Sequence, residues 1–451
     1  MSDKIYMYGD QDTIGVLNKD TPKIILIGGY LGYNNFGDIL QLKEAISFHK
    51  SVTFLEPVVV CHVSSIPDKN FLSRLRNWFG ICAIIFIHDH TVDVTLLNLH
   101  LIDSVFSIEN LHLYGGGFLN KYWGDYFLKL VEGLIRNFRV DNYIISGQQV
   151  GVEFANILKE HFNKFRPKLI GARDFESQNI INSIGFKCEF SFDDASNIIQ
   201  SWARCKPKHR SAKKVLLIHL NTSKYTSNND DEQRKELSRI SQVLIMLSEK
   251  FKNFEPVFLN AYSECRASVK DTLATIISME DSLPFLDFRV IDIAHMALLH
   301  DPSNTTIDNN LAIFSGGIAI SSSYHTAMFC NMLNTPCYQI SENAFYKQKR
   351  EGLGKNRTLE QFLENPSVSS FSGFMEQREV WLVKLASFFE SVDRSSIRKK
   401  IPFNYSKSEL SPAPFHFKEA TVVEKENYNL KGGFTKIMAI LRKRADWSNF
   451  F

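Results

Sequence analysis

The sequence predicts an α/β protein built of two Rossmann-like, doubly wound domains that face a cleft, with a helical tail behind them. Three observations predict it. Apolar runs of strand length recur and end in glycine or polar residues: Lys23–Ile27, Pro57–Cys61, Ile81–Ile87, Leu111–Tyr114, Tyr143–Ile145 and Leu169–Ala172, then Lys214–Leu220, Pro256–Asn260 and Phe288–Asp292. Segments of helical period lie between them, such as Ile39, Leu42, Ala45 and Ile46, or Leu237, Ile240, Val243, Leu244 and Leu247. A basic, helix-poor stretch at 204–213 divides the series into two halves. Strand alternating with helix is the pattern of a parallel sheet covered on both faces.

Bulk properties narrow the function classes. The 451 residues suffice for two ordinary domains with extra segments, and 44% apolar with 22% charged residues is a globular composition. A net charge of +3 gives no electrostatic reason to expect nucleic acid. The seven cysteines are odd in number, scattered and without a C-x-x-C pair, so they read as buried thiols in a reducing compartment. With no signal-peptide pattern at Met1-Ser-Asp-Lys-Ile5 and no run of membrane-spanning length, a cytoplasmic protein is expected.

In chain order, residues 1–22 read as a polar lead-in, 23–203 as the first domain, 204–213 as the linker, 214–365 as the second domain, 366–399 as a closing helix around Phe374–Val392, and 400–451 as a tail. The first strand runs into Gly28-Gly-Tyr-Leu-Gly-Tyr-Asn-Asn-Phe-Gly-Asp38, which does not fit G-x-G-x-x-G but places Asn34, Asn35 and Asp38 where such folds bind ligands. His88-Asp89-His90 stands without a further ligand set nearby, so it reads as a solvated strand end, and no metal is expected. Gly115-Gly116-Gly117 after a strand costs backbone entropy and points to close approach of a ligand or another segment. Arg173 ends another strand, where burial demands an anion, and Asp193-Asp194 bring two carboxylates to the end of the half. In the second half Ile318-Ala-Ile-Ser-Ser-Ser-Tyr-His325 reads as strand, polar turn and helix start, with Met328, Phe329, Met332 and Leu333 at helical spacing. His325 is thereby expected in the first turn of a helix, where unpaired N–H groups favour an anion.

Two such halves with facing strand ends are the build of a GT-B enzyme. The motifs, in their order, resemble the polysaccharide pyruvyl transferase family over roughly residues 23–360: Gly29-Tyr-Leu-Gly-Tyr-Asn-Asn-Phe-Gly-Asp38, Leu113-Tyr-Gly-Gly-Gly-Phe-Leu119, Ser146-Gly-Gln-Gln-Val-Gly151, Ala172-Arg-Asp-Phe-Glu-Ser177, and Ser322-Ser-Tyr-His-Thr-Ala-Met-Phe329 with Pro336 after it. The resemblance implies transfer of pyruvate from phosphoenolpyruvate onto two hydroxyls of a sugar, in a cell-surface polysaccharide or its lipid-linked precursor, with no cofactor. It implies His325 as acid/base, Asp38 and an Asp193/Asp194 carboxylate, of which Asp194 is taken, as further catalytic groups, and Arg173 as a donor ligand. Asn35, Gly116, Gly117, Ser323, Tyr324 and Lys347 complete the expected binding set, Lys349 fitting nearly as well as Lys347. Many members carry Arg-Leu-His where this chain has Ser323-Tyr324-His325, which removes one arginine that Lys347, Lys349 or Arg350 would replace. Two other readings stand beside it: a GT-B glycosyltransferase using a nucleotide sugar, and a non-catalytic glycan-binding descendant of the fold.

The tail ends in 431–447, where Phe434, Ile437, Met438, Leu441 and Ala445 share a helical face ringed by basic residues. That pattern suits a helix on an anionic membrane surface, and equally a helix packed on the domain. The expected partners are thus phosphoenolpyruvate, a glycan or lipid-linked oligosaccharide, and a membrane surface through the tail, with no nucleic acid.

Overall fold

The structure is a computed structural model and describes residues 6–32, 35–62, 71–88, 99–102, 106–121, 123–205, 214–220, 230–262, 288–299, 311–340, 348, 353 and 358–392. The linker residues beyond Cys205, residues 263–287, Asn34, Lys347, Lys349, Arg350 and the tail lie outside the described residues.

The first unit is a ten-stranded sheet made of β1 (Tyr6–Gly9), β2 (Lys23–Ile27), β3 (Glu56–His62), β4 (Ala83–His88), β5 (His100–Leu101), β6 (Asn110–Leu113), β7 (Gly116–Leu119), β8 (Asn142–Val150), β9 (Leu169–Ala172) and β10 (Glu189–Phe190). Its order is β10-β9-β8-β6-β2-β3-β4-β1-β5, with β7 paired to β8. The second is a five-stranded sheet of β11 (Val215–His219), β12 (Glu255–Asn260), β13 (Arg289–Asp292), β14 (Ile318–Ser321) and β15 (Cys337–Gln339), in the order β13-β12-β11-β14-β15. Every pairing is parallel except those of β1, which runs antiparallel to β4 and β5. These are two Rossmann-like units in a GT-B-like arrangement. Their central strands, such as Lys23-Ile-Ile-Leu-Ile27 and Val215-Leu-Leu-Ile-His219, are buried throughout, as strands covered on both faces must be.

In each sheet one strand lies at the point where the order reverses. From β2 the chain moves outward through β3 and β4, then returns to the other side with β6. From β11 it does the same through β12 and β13, returning with β14. The crevice at the carboxyl ends of such strand pairs is where doubly wound sheets bind ligands. Helices flank the sheets and begin with local caps. Asn35 Oδ1 accepts the Gly37 amide at the start of Phe36–Phe48, Asp174 accepts from Ser177 ahead of Phe175–Ser183, and Thr358 forms a capping box with Gln361.

Three segments differ from the sequence reading. Residues 6–17 are not a lead-in. Tyr6–Gly9 extends the first sheet and Asp10 caps the helix Gln11–Leu17, a strand too short for its alternation to register. β8 does not stop at Ile145 but continues through Gly147, whose φ of +61° allows an irregularity in the ladder. Gly116, read from the sequence as following the end of a strand, starts a further strand, Gly116–Leu119.

The closing helix, Ser372–Val392, follows the second unit but packs on the first. Trp381 lies against Gly171 of β9, where a Cβ would come within 2.8 Å of the indole, and Lys384 pairs with Glu189 of β10. The units also meet directly. The Phe36 amide donates to the Ala261 carbonyl at 2.8 Å, and Phe36, Trp202, Phe314 and Phe329 share ring contacts across the boundary. Among the described residues no helix is long and apolar enough to cross a membrane.

Candidate functional site

The helix Tyr324–Met332 follows β14, and His325 is its second residue. Ser323 holds the N-cap position without a side-chain cap of its own. Ser321 shapes the turn instead, its Oγ accepting the Ser323 amide at 2.9 Å. This helix start faces the carboxyl ends of β9 and β10 in the first unit.

His325 Nε2 lies 3.2 Å from Asp193 Oδ2, with the histidine side chain 13% exposed and the carboxylate fully buried. Arg173 donates to the same Asp193 oxygen at 3.3 Å and to Gln149 Oε1, and its guanidinium stacks 4.2 Å over the Tyr324 ring. Gln41, from the helix Phe36–Phe48, donates to Asp193 at 3.2 Å and sits 3.1 Å from His325 Nε2. The Ala195 amide adds a further donor to Asp193 at 2.9 Å. Burial alone would raise the Asp193 carboxyl. The His325 charge and hydrogen bond, Arg173 and the Ala195 amide outweigh it and hold the group well below the usual carboxylate range. Asp193 therefore orients the imidazole as an ionised carboxylate.

Glycines make room for this cluster. A Cβ on Gly37 would lie 2.0 Å from His325 Nδ1, and one on Gly115 would lie 2.7 Å from Gln41 Nε2. The triple glycine thus serves close approach, and the neighbours it meets are the protein's own side chains. Gly116, at φ +152°, faces the Phe118 ring, and the Gly117 carbonyl accepts from Asn120 Nδ2 at 2.7 Å. Neither of these two contacts involves the His325 cluster.

The paired aspartates divide their tasks. Asp193 meets His325. Asp194, the one taken from the sequence as catalytic, accepts from the Gly115 amide at 2.7 Å, from Ser146 Oγ at 2.6 Å and from Arg378 of the closing helix at 2.5 Å. With these bonds and 2% exposure its carboxylate is held by the protein's own donors, while Asp193 is the aspartate that meets His325. The left-handed Phe192, at φ +55°, precedes the pair in the turn that sets their directions. Behind Asp194 runs a buried chain. Ser146 must donate to the carboxylate, so it accepts from His112 Nε2 at 2.7 Å, and His112 Nδ1 accepts from His49 Nε2 at 2.9 Å. Burial lowers His112 to about 4 against the attraction of Asp194, and burial with help from His112 holds His49 well below the usual histidine range, so both imidazoles stay neutral.

Asp38 is half-buried one residue beyond Gly37, and its carboxylate lies over Gly29, where a Cβ would come within 2.5 Å of Oδ1. Asn35 serves as helix cap and bridges to Tyr262 of the second unit. Tyr324 is buried beneath Arg173. The buried arginine foreseen at the end of β9 has its anion in Asp193. Arg173 with Asp193, and Arg378 with Asp194, are neutral pairs, so the cluster is positive only when His325 carries a proton. No group of residues among those described could hold a metal ion.

Sequence reasoning did not find Gln41 or Arg378. Both leave a faint signal: Gln41 stands in a helix buried on nearly every side, and Arg378 falls in the apolar stripe Met375, Leu382, Leu385 and Phe389.

No family model and no curated protein matches the chain. Among solved structures it is similar to the UDP-GlcNAc 2-epimerase from Neisseria meningitidis bound to UDP-GlcNAc, at 10% identity over 82% of this chain and 93% of that one, with a TM-score of 0.37. The UDP-GlcNAc 2-epimerase from Methanocaldococcus jannaschii gives 10% identity over 81% and 99%, with a TM-score of 0.37. Likenesses of this size carry no argument about ligand or reaction.

Proposed function

We propose that the chain is a ketal pyruvyltransferase, moving pyruvate from phosphoenolpyruvate onto two hydroxyls of a sugar in a cell-surface polysaccharide or its lipid-linked precursor. The observation that supports this best is the joining of His325, Asp193 and Arg173 from opposite units at one helix start. It adds to the order of motifs in the sequence.

In the proposed reaction the His325 imidazolium gives its proton to the methylene carbon of the enol, and C2 becomes electrophilic. One sugar hydroxyl adds to C2 and loses its proton to a base, for which Asp38 is the half-buried candidate beside the His325 seat. The second hydroxyl then displaces phosphate, its proton leaving with that group, and the cyclic ketal closes. Proton transfer by a positioned side chain is worth roughly 10²- to 10⁴-fold. Asp193 keeps the ring oriented, and the positive helix end together with the protonated ring favours the anionic donor. An acceptor on a lipid carrier would give the basic 431–447 segment a membrane surface to meet.

A thermal-shift comparison of phosphoenolpyruvate with nucleotide sugars tests the donor without knowledge of the acceptor. A ligand at about one hundred times its Kd adds roughly 2.7 kcal/mol to the folded state. The expected result is a shift with phosphoenolpyruvate and, once an acceptor glycan is supplied, loss of phosphate release in a folded His325→Gln variant. A shift with nucleotide sugars alone would replace this reading with a glycosyltransferase.

A further inference from the structure

The second sheet carries polar side chains along its carboxyl edge that the His325 cluster does not use. β11, β14 and β15 end at His219, Ser321 and Gln339, which stand opposite one another in the ladder. Residues opposite in register point to one face of a sheet. Here it is the face of Leu217 and Ala319, in the core shared with the helix Tyr324–Met332. The β11–β14 edge is also where the strand order reverses, the place at which doubly wound sheets collect ligands.

Three polar atoms in this row have no hydrogen-bond partner among the described residues: His219 Nε2 and both amide atoms of Gln339. The two residues are 1% and 3% exposed. An unsatisfied buried polar group costs about 1–3 kcal/mol, and a leucine in place of Gln339 would avoid that cost. His219 Nδ1 lies 3.2 Å from Ser321 Oγ, which fixes the ring and leaves Nε2 on its far side. Burial pushes His219 down to about 3, so the row holds donors and acceptors without formal charge. Such a set matches hydroxyl groups better than a phosphate or a carboxylate. Ser321 also anchors the Ser323 amide two residues before His325, so the row adjoins the proposed reaction centre.

We propose that His219 and Gln339 form a subsite for a neutral, hydroxyl-bearing ring, the acceptor sugar. The word acceptor rests on the pyruvyl-transfer reading; a sugar subsite at this edge does not.

The test is saturation-transfer NMR on the full chain without phosphoenolpyruvate, using methyl glycosides of glucose, galactose, mannose and N-acetylglucosamine. At least one glycoside should bind, and Gln339→Leu and His219→Phe should each weaken it by roughly tenfold or more. Gln339→Leu should melt at a higher temperature than the parent, because it removes two unpaired buried atoms. Absence of binding by the whole panel, binding that survives both substitutions, or a lower melting temperature in Gln339→Leu would overturn the subsite. Donor binding is read separately. Glycoside binding that depends on Gln339, without any response to phosphoenolpyruvate, would support the subsite while removing the reaction assigned to it.

Discussion

Gly37→Ala isolates what the seat of His325 contributes. Gly37 is the second residue of the helix Phe36–Phe48 and its φ is not positive, so alanine suits the backbone and gains up to about 1 kcal/mol of helix propensity. The new Cβ, however, would stand 2.0 Å from Nδ1, 2.3 Å from Cγ and 2.6 Å from Cε1 of His325. To reach ordinary contact the imidazole must retreat by about 1.4 Å, which would displace Nε2 from its present seat 3.2 Å from Asp193. Misplacement by about 1 Å typically costs on the order of 10²-fold in rate. The expected variant is therefore folded, with a melting temperature close to the parent's, and at least about a hundredfold slower in donor-dependent phosphate release. Histidine-labelled NMR spectra should show the His325 ring in a new environment. An unchanged ring signal together with parental turnover would refute the seating.

Arg378→Met should cost about 3–5 kcal/mol in urea denaturation, since it leaves Asp194 charged and buried without its cation. Adding Asp194→Asn should recover part of that loss, and a double variant no more stable than the single would contradict the pairing. Acid should destabilise the fold through its neutral histidines. Unfolded histidine titrates near ~6.5, whereas His112 is held at about 4 and His219 at about 3. The unfolded chain takes up protons first as pH falls, so this stability is complete above about pH 6.5 and is lost on the way down, about 3 kcal/mol of it from His112 alone. Glu44 and Asp174, raised by burial, act with the opposite sign and offset part of the loss. A urea midpoint that does not fall between about pH 7 and about pH 5 would contradict the assignment.

The two-unit build was legible because strands buried on both faces must be continuously apolar and their carboxyl ends must turn, which wrote glycine and polar residues after each run. His325 and Arg173 were legible for the same reason, since each follows a run. Which of Asp193 and Asp194 meets His325 was not. Adjacent side chains diverge, and a left-handed Phe192 precedes the pair with no glycine to announce it. Gln41 and Arg378 escaped because helical periodicity marks apolar faces, while a polar residue within such a face is recognised only through the partner it meets. Those partners are 152 and 184 residues away in sequence.

The return of the closing helix to the first unit bears on how the protein is made. Asp194 leaves the ribosome 184 residues before Arg378 does, an interval of roughly ten to forty seconds at about 5–20 residues per second. Through that interval the nascent first unit holds a buried carboxylate that lacks its cation, and the wall behind Asp193 is provisional. The first half to be synthesised is therefore the last to be finished. A ribosome stalled before the closing helix would display a first unit that a conformational antibody or a protease distinguishes from the same residues in the released chain.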